Sequence, residues 1–155
     1  MGARTRVPNV IALAASESLH HGEGKTVKLP DVALIANLCE VAWIKDRKGR
    51  FVAVNGAFAS EFRVVRNEVV GKTDFYIFPV RLAERLLDND LEVMRVGRPL
   101  RIEDFFCRNG ANRKTEALKS PIFDATGKIL GTLTVLRELG GRQHEEKQGR
   151  EFPFT

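Results

Sequence analysis

Residues 41–54 read VAWIKDRKGRFVAV and decide the fold, because they hold two short β-prone runs around a tight turn. The runs VAWIKD and FVAV are rich in the β-branched and aromatic residues that strands favour. Between them lies Asp-Arg-Lys-Gly, in which Asp46 can cap the turn and Gly49 can adopt a positive φ. The stretch therefore predicts a β-hairpin.

The residues after the hairpin, from Asn55 to Pro79, have the spacing of short helices. Asn55 stands where strand gives way to helix, and its side chain suits an N-cap that satisfies free backbone N–H groups. Phe58 and Phe62 lie four residues apart, on one face of the predicted helix. The aromatic-rich segment TDFYIFP predicts a single helical turn that ends at Pro79.

The longest helix is predicted from Val80 to Val96, where apolar residues recur at helical spacing and Gly97 provides the end. Three strand patterns follow: LRIEDFFC, NRKTEALKSPIF and KILGTLTVLREL. A second tight turn joins the last two, and in it Asp124 and Gly127 repeat the roles of the first turn. Strands on both sides of a helical block predict an α+β fold, a five-stranded antiparallel sheet with helices packed on one face.

Composition shifts divide the chain into three parts. Residues 1–30 form an N-terminal extension with a short flanking helix, and residues 140–155 form a polar tail or linker. The domain itself spans residues 31–139. It opens with the helical pattern VALIANLCE, for which Asp31 is the expected N-cap.

Charge, apolar stretches and cysteines indicate where the chain works and which partners it has. The formal net charge is +5, but the basic residues are dispersed among acidic ones, which predicts solubility and argues against a nucleic-acid partner. No stretch is long and apolar enough to span a bilayer. Cys39 and Cys107 lie in apolar surroundings and predict buried free thiols in a reducing compartment, the cytoplasm.

The sequence offers no catalytic or metal-binding motif. No serine, cysteine or lysine has an activating pattern, and no glycine-rich phosphate loop is present. The histidines, His20, His21 and His144, lie outside the predicted core. Glu103 and Asp104 lie on a predicted strand, where we expect them to face water. We therefore expect neither an enzyme nor a metal site.

The order of these segments resembles the PAS family. The matching pieces are VAWIKDRKGRFVAVNGAF, VVGKTDFYIFP with the long helix, LRIEDFF, LKSPIFDATGKILGT and VLREL, which together cover residues 31–139. They look closest to the PAS domains of bacterial sensor kinases, diguanylate cyclases and some transcription regulators. The resemblance implies a five-stranded antiparallel sheet, flanking helices, and a cavity between sheet and helices.

The cofactors of this family can be tested against named positions. Haem-binding members take an axial histidine from the long helix, and Val80–Val96 has none. Photosensor members carry a reactive cysteine near the segment that here reads VVGKTDFYIFP, which has no cysteine. No cofactor is therefore predicted, and the ligand implied is an unidentified small organic molecule. A non-covalent flavin, or haem held by Cys39 or Cys107, is a weaker alternative.

Two functions remain open for the predicted interior. An open apolar pocket would make the chain a ligand sensor, whereas a filled one would make it a ligand-free dimerisation or docking module. A DNA-binding regulator is a third, weaker alternative. The candidate pocket residues are Trp43, Phe58, Phe62, Phe75, Phe78, Leu87, Met94, Phe106 and Leu118.

Signal output and partners are expected at the ends of the domain. In the PAS family the last strand leaves through an arginine followed by Asp-Ile-Thr, and here Arg137 and Glu138 keep the arginine and an acid. An effector domain or partner protein would receive the signal there. The apolar flanking segments predict a homodimer, with Val10, Ile11, Ala14, Leu34, Ile35 and Leu38 as candidates for its interface.

Overall fold

The computed structural model describes residue 33, residues 35–108 and residues 110–139. The predicted short flanking helix, the polar tail and all three histidines therefore lie outside the described residues. So do four candidates for the dimer interface, Val10, Ile11, Ala14 and Leu34.

Five strands and a block of helices follow one another in the predicted order. The strands form one antiparallel sheet in the order β2-β1-β5-β4-β3, and the helices lie on one face of it, which confirms the predicted α+β fold. The elements are β1 (Val41–Asp46), β2 (Phe51–Val54), α1 (Gly56–Phe62), α2 (Arg66–Val69), a 3₁₀ turn (Asp74–Tyr76), α3 (Val80–Val96), β3 (Leu100–Arg108), β4 (Ala111–Phe123) and β5 (Ile129–Glu138).

The last strand lies in the middle of the sheet, between β1 and β4. Val41 at the start of β1 is paired with Leu136 near the end of β5, so the two ends of the domain are neighbours. At the other end of this pairing, a Cβ atom at Gly131 would overlap the carbonyl oxygen of Lys45. The close approach of β5 to β1 therefore requires glycine.

Each of the two hairpin turns is capped by an aspartate and contains a glycine with a positive φ. The Asp46 carboxylate accepts two backbone N–H groups of the first turn, and the Asp124 carboxylate accepts two of the second. Gly49 and Gly127 each take a positive φ, 75° and 84°, which a side chain would strain. In the second turn a hydrogen bond from the Thr126 hydroxyl, and then backbone N–H groups, lower the pKa of Asp124.

The long helix has the predicted bounds and ends at Gly97 in the left-handed conformation. Its buried positions are Ala83, Leu86, Asp90 and Val93. A carboxylate thus takes a place on the apolar stripe that packs against the sheet.

The segment before β1 differs from the sequence-based expectation. Residues 35–37 form a turn and residues 39–40 a bend, where a helix was expected. The reason is Asn55, whose Nδ2 donates to the carbonyl oxygens of Ile35, at 3.3 Å, and Glu40, at 2.8 Å. Its Oδ1 accepts the N–H of Ala42 and, as the N-cap of α1, the N–H of Phe58. This one amide fixes the path of the chain into β1.

Apolar residues pack on both faces of the sheet. The inner cluster lies under the helices and includes Trp43, Phe58 and Leu136, whereas the outer cluster includes Ile44 and Leu133 on the opposite face.

Two expectations for the segment before β1 are corrected by this packing. Ile35 is fully buried in the outer cluster of its own chain, so it is not available as a dimer contact, and Leu38 is half-buried against the same cluster. Cys39 was expected to be buried, but it is an exposed free thiol because the turn at residues 35–37 directs the chain along the surface.

Candidate functional site

Five of the nine candidate pocket residues meet on the inner face of the sheet. Trp43 and Phe58 pack edge to face with ring centroids 5.4 Å apart, and Phe58 packs on Phe62 at 4.8 Å. Phe62 in turn packs on Phe78 at 4.9 Å, and Phe78 lies 6.2 Å from Phe106. These rings form a continuous row between the sheet and the helices.

The other four candidates lie elsewhere. Phe75 is 47% exposed, because the 3₁₀ turn directs Asp74 inward and its neighbour outward, so its assignment to the pocket is wrong. Leu118 faces the outer side of the sheet, since residues on either side of it on β4 face the helices, and it is also wrongly assigned. Leu87 and Met94 are half-buried and do not belong to the inner cluster.

An open cleft of about 240 Å³ borders this aromatic row. Its apolar lining consists of Val41, Phe62, Phe106 and Leu136, and Thr115 lies at its inner side. The remaining lining comes from residues 39–40 and 137–138, from Glu61 and from Arg113. The cleft therefore touches the residues through which the chain reaches β1 and those through which it leaves β5.

Two ion pairs join β4 to the end of β5, whose last residues line this cleft. Arg113 Nη1 lies 3.2 Å from Glu138 Oε2, and Arg137 Nη2 lies 2.6 Å from Glu116 Oε1. Both residues expected to carry the signal out of the domain, Arg137 and Glu138, are thus tied to β4 by a side-chain pair. Because these pairs are exposed, they position the end of β5 and add little to its stability.

A cluster of charged side chains is buried further along the inner face. Lys45 Nζ donates to Asp74 Oδ2 and, at 2.8 Å, to Asp90 Oδ2. Lys119 Nζ donates to Asp90 Oδ1 at 2.6 Å and to Thr134 Oγ1 at 3.1 Å. All four ionisable side chains are at most 4% exposed. We call Lys45, Asp74, Asp90 and Lys119 the buried charge cluster.

Burial and pairing act on the pKa values of this cluster in opposite directions. Burial raises the pKa of Asp74, against the opposing effect of Lys45. Burial also acts to raise the pKa of Asp90, but Lys119 and Lys45 outweigh it and hold that pKa below 3.8. Burial lowers the pKa of Lys119 despite the attraction of Asp90. Each carboxylate oxygen of Asp90 accepts from a lysine, and Asp90 therefore has the lower pKa of the two aspartates.

Sequence reasoning missed this cluster, although its signal was present. Asp90 falls four residues after Leu86, on the apolar stripe of the helix, and Lys119 has the same strand phase as the buried Ala117. Lys45 likewise shares the inward phase of Trp43. Charged residues in inward phase predict a buried polar network.

Known proteins share this architecture. A family model described as PAS fold matches residues 36–144. The chain belongs to the PAS family. The Methanogenesis regulatory histidine kinase FilI of Methanothrix harundinacea is 26% identical over an alignment of 151 residues, gaps included, and the match covers 89% of this chain and 17% of that protein.

Two solved PAS structures illustrate the range of the likeness. In the complex of VqmA from Vibrio cholerae with ligand and DNA, the match is 25% identical with a TM-score of 0.62 and covers 70% of this chain and 50% of that one. The PAS domain of BvgS from Bordetella pertussis is 22% identical with a TM-score of 0.64, covering 72% of this chain and 85% of that one. The PAS chain thus spans half of VqmA and a smaller part of FilI.

Two expectations remain to be compared with these findings: that nucleic acid is not a partner, and that the chain has no membrane span. The expectation that nucleic acid is not a partner has no support, because one of the similar structures is a complex with DNA. In the part of the chain that the structure describes, no helix combines the length and apolarity needed to cross a membrane.

Proposed function

We propose that this PAS domain is the sensory domain of a signalling protein, binds a small organic molecule in the cleft, and passes the signal to an effector through its termini. The observation that carries the proposal is the position of the cleft. It is lined by residues 39–41 before and at the start of β1, and by residues 136–138 at the end of β5. A ligand there would contact both segments at once.

The physical route of the signal follows from the pairing of those segments. Val41 and Leu136 are paired across β1 and β5, and both line the cleft. A molecule that fills the cleft would push on this pair, and the ion pairs of Arg137 and Glu138 with β4 would rearrange with it. Side-chain movement at the cleft would therefore change the direction in which the chain leaves the sheet.

Two relatives support the proposal, one for control of an effector and the other for ligand binding. FilI is named a regulatory histidine kinase, and the VqmA structure contains a ligand as well as DNA. We infer that the effector of this PAS domain is a separate catalytic or DNA-binding unit, and that the domain itself performs no catalysis. A cytoplasmic setting fits such an effector.

A homodimer is part of the same proposal. A related VqmA structure is described as a dimer, and the segment before residue 31 offers the predicted apolar positions Val10, Ile11 and Ala14. Pairing of two copies would let them respond together.

The sensing step is tested by native mass spectrometry of the full chain after incubation with metabolite extracts. We expect an added mass, whose small molecule is then identified and titrated by calorimetry. Leu136→Phe narrows the cleft and should weaken binding about tenfold or more, as overpacking of a fitted site does. Val135→Phe is the matched control, because the neighbouring side chain faces the outer cluster and should leave affinity unchanged.

A ligand-free docking module is the second candidate, and the aromatic row favours it. Trp43, Phe58, Phe62, Phe78 and Phe106 pack edge to face and fill the interior beside the cleft. If no extract adds mass to the chain, or if Leu136→Phe and Val135→Phe behave alike, the docking function replaces the sensory one.

A further inference from the structure

The exposed apolar side chains of the domain are concentrated in one segment. Seven large apolar side chains are exposed in the described part of the chain. Five of them lie between residues 65 and 80: Val65, Val70, Phe75, Tyr76 and Val80. Single exposed apolar side chains are usual on a protein surface, whereas a group of neighbouring ones marks a place where something binds.

This segment is held firmly against the first hairpin. Its side chains Val69, Asp74 and Phe78 are buried, and the backbone N–H of Phe51 on β2 donates to the carbonyl oxygen of Lys72 at 2.8 Å. The exposed side chains between these buried ones therefore project from one short, anchored stretch of the surface. Their exposure does not come from a loosely attached segment.

Basic side chains lie among and beside these apolar ones. Arg66 and Lys72 belong to the segment, and Arg81 directly follows it. Arg50 reaches the segment from the first hairpin, because its Nη1 donates to the carbonyl oxygen of Gly71 at 3.0 Å. We call the five exposed apolar residues together with these four basic ones the apolar-basic surface.

The positive charge of this surface is not compensated. Six exposed basic residues of α3 and the sheet form ion pairs with carboxylates: Arg85, Arg95, Arg101, Arg113, Lys114 and Arg137. No ion pair among the described residues includes Arg50, Arg66, Lys72 or Arg81. Glu68 is the one exposed acidic residue between residues 65 and 81. The surface is therefore complementary to an anionic partner.

The side chains distinguish between kinds of anionic partner. Nucleic-acid bases stack on aromatic rings, but three of the five apolar residues are valines, which have no ring. A docking helix fits a groove or a stripe, whereas these side chains project from both ends of α2, a 3₁₀ turn and the start of α3. The same surface of a second copy would bring like charges together. A lipid bilayer needs no groove, since it accepts apolar side chains and binds basic ones through anionic headgroups.

We propose that the apolar-basic surface docks this domain onto an anionic lipid bilayer. Phe75, Tyr76 and the three valines enter the headgroup region, and the basic side chains bind lipid phosphates. The Lys72 ammonium lies 5.5 Å from the Tyr76 ring centroid, so a basic group and an aromatic ring reach the bilayer at the same place. None of these residues lines the cleft, so docking does not rest on the proposed sensory function and can fail or stand without it.

Sedimentation of the full chain with vesicles tests the docking. Vesicles of phosphatidylcholine alone are compared with vesicles of equal parts phosphatidylcholine and phosphatidylglycerol. We expect saturable sedimentation with the anionic vesicles alone, and its loss in about 1 M salt, where the screening length falls to about 3 Å. A paramagnetic lipid in the anionic vesicles should broaden the amide signals of residues 65–81 more than those of β3.

The apolar side chains are tested by Phe75→Ser combined with Tyr76→Ser. Both rings are about half exposed, and losing their transfer into the headgroup region should weaken binding to the anionic vesicles about tenfold or more. Phe105→Ser is the matched control, because this phenylalanine is also exposed but lies on β3, at the opposite edge of the sheet from β2. It should leave binding unchanged.

The basic side chains are tested by Arg66→Gln combined with Arg81→Gln. A basic residue at an anionic bilayer contributes about fivefold to affinity, so the loss of both should weaken binding about 25-fold. Arg98→Gln, beyond the other end of α3, lowers the net charge outside the surface and should change binding about twofold at most. All these residues are exposed, so the circular dichroism of each variant should remain that of the wild type.

Three outcomes would overturn the proposal. One is a wild-type chain that does not sediment with the anionic vesicles. Another is a loss of binding in Phe105→Ser or Arg98→Gln as large as in the variants of the surface, since attraction would then depend on bulk properties of the chain. The third is binding to a labelled single-stranded DNA, measured by fluorescence anisotropy, that both surface variants weaken while vesicles are not bound. That result would assign the surface to nucleic acid.

Discussion

Asp90 is the residue on which the buried charge cluster depends, because each of its carboxylate oxygens accepts from a different lysine. Asp90→Asn would leave two buried ammonium groups with one carboxylate between them. We expect this change to lower the free energy of unfolding at pH 7 by about 3–5 kcal/mol, the usual effect of breaking a buried ion pair. Urea denaturation followed by Trp43 fluorescence measures it.

The same substitution has a defined pH dependence. The lysines lower the pKa of Asp90 in the folded chain below 3.8, so its stabilising effect is complete above that value and is lost as the pH falls through the lowered pKa. The difference between wild type and Asp90→Asn should therefore shrink in acid. Asp88→Asn, on the exposed side of the same helix, is the control and should change the free energy of unfolding at pH 7 by less than about 0.5 kcal/mol. A pH-independent difference would mean that Asp90 acts through packing and not through charge.

Asp74 should behave differently from Asp90, since burial raises its pKa. Its ionised form is disfavoured in the folded chain, so its contribution to stability is greatest in acid and declines as the pH rises through the raised pKa. The contributions of these two aspartates to stability thus depend on pH in opposite directions.

At the scale of elements, the closest contact between strands is at Gly131. Gly131→Ala would press a methyl group into the Lys45 carbonyl oxygen and force β5 away from β1. Because a backbone atom cannot move aside as a side chain can, we expect a loss of about 3 kcal/mol or more in unfolding free energy. Chemical denaturation at neutral pH measures it.

A second glycine in an open place provides the control. Gly56 begins α1, and a Cβ atom there would meet nothing within 4 Å. Gly56→Ala should therefore be neutral or stabilise the chain by about 0.5–1 kcal/mol through helix propensity. If the two alanine variants were equally stable, the contact of Gly131 with Lys45 would not limit the approach of the strands.

Elements with local signals could be predicted from the sequence. The hairpin turns follow from Asp46 with Gly49 and Asp124 with Gly127, and the long helix follows from its apolar spacing. Residues 35–40 form a turn and a bend in place of the expected helix because Asn55 takes the carbonyl groups of Ile35 and Glu40, whose positions lie 20 and 15 residues away. Local propensity carries no information about such a distant partner.

The candidate sites show the same limit. Lys45 meets Asp74 across 29 residues and Asp90 across 45, so only the tertiary fold brings their charges together. Phe75 and Phe78 look alike in the sequence, yet one is 47% exposed and the other 8%, because Phe75 lies within the 3₁₀ turn and Phe78 lies beyond its end. Part of the aromatic row could be predicted from the helical spacing of Phe58 and Phe62, whereas the buried charge cluster could be predicted only from the inward phase of its strand and helix positions.

At the scale of the whole molecule, β5 joins the two halves of the fold. It pairs with β1 of the first hairpin on one side and with β4 on the other, and it contributes Leu136 to the inner cluster and Leu133 to the outer one. The strand that completes the core is therefore also the strand that leaves the domain beside the cleft. In the proposed function, one element therefore serves both folding and signal output.

This arrangement predicts which part of the chain folds as a unit. Both apolar clusters and the buried charge cluster are built from residues 35–136, so residues 31–139 should unfold cooperatively by themselves. We expect their thermal midpoint, followed by circular dichroism, to lie within about 5 °C of that of the full chain, which for a domain of this size is about 1 kcal/mol. Residues 31–128 lack β5 and should show no cooperative transition, since β1 and β4 would lose their common partner. A cooperative transition in residues 31–128 would contradict the central role of β5, and an unfolded 31–139 would mean that the flanking residues belong to the folding unit.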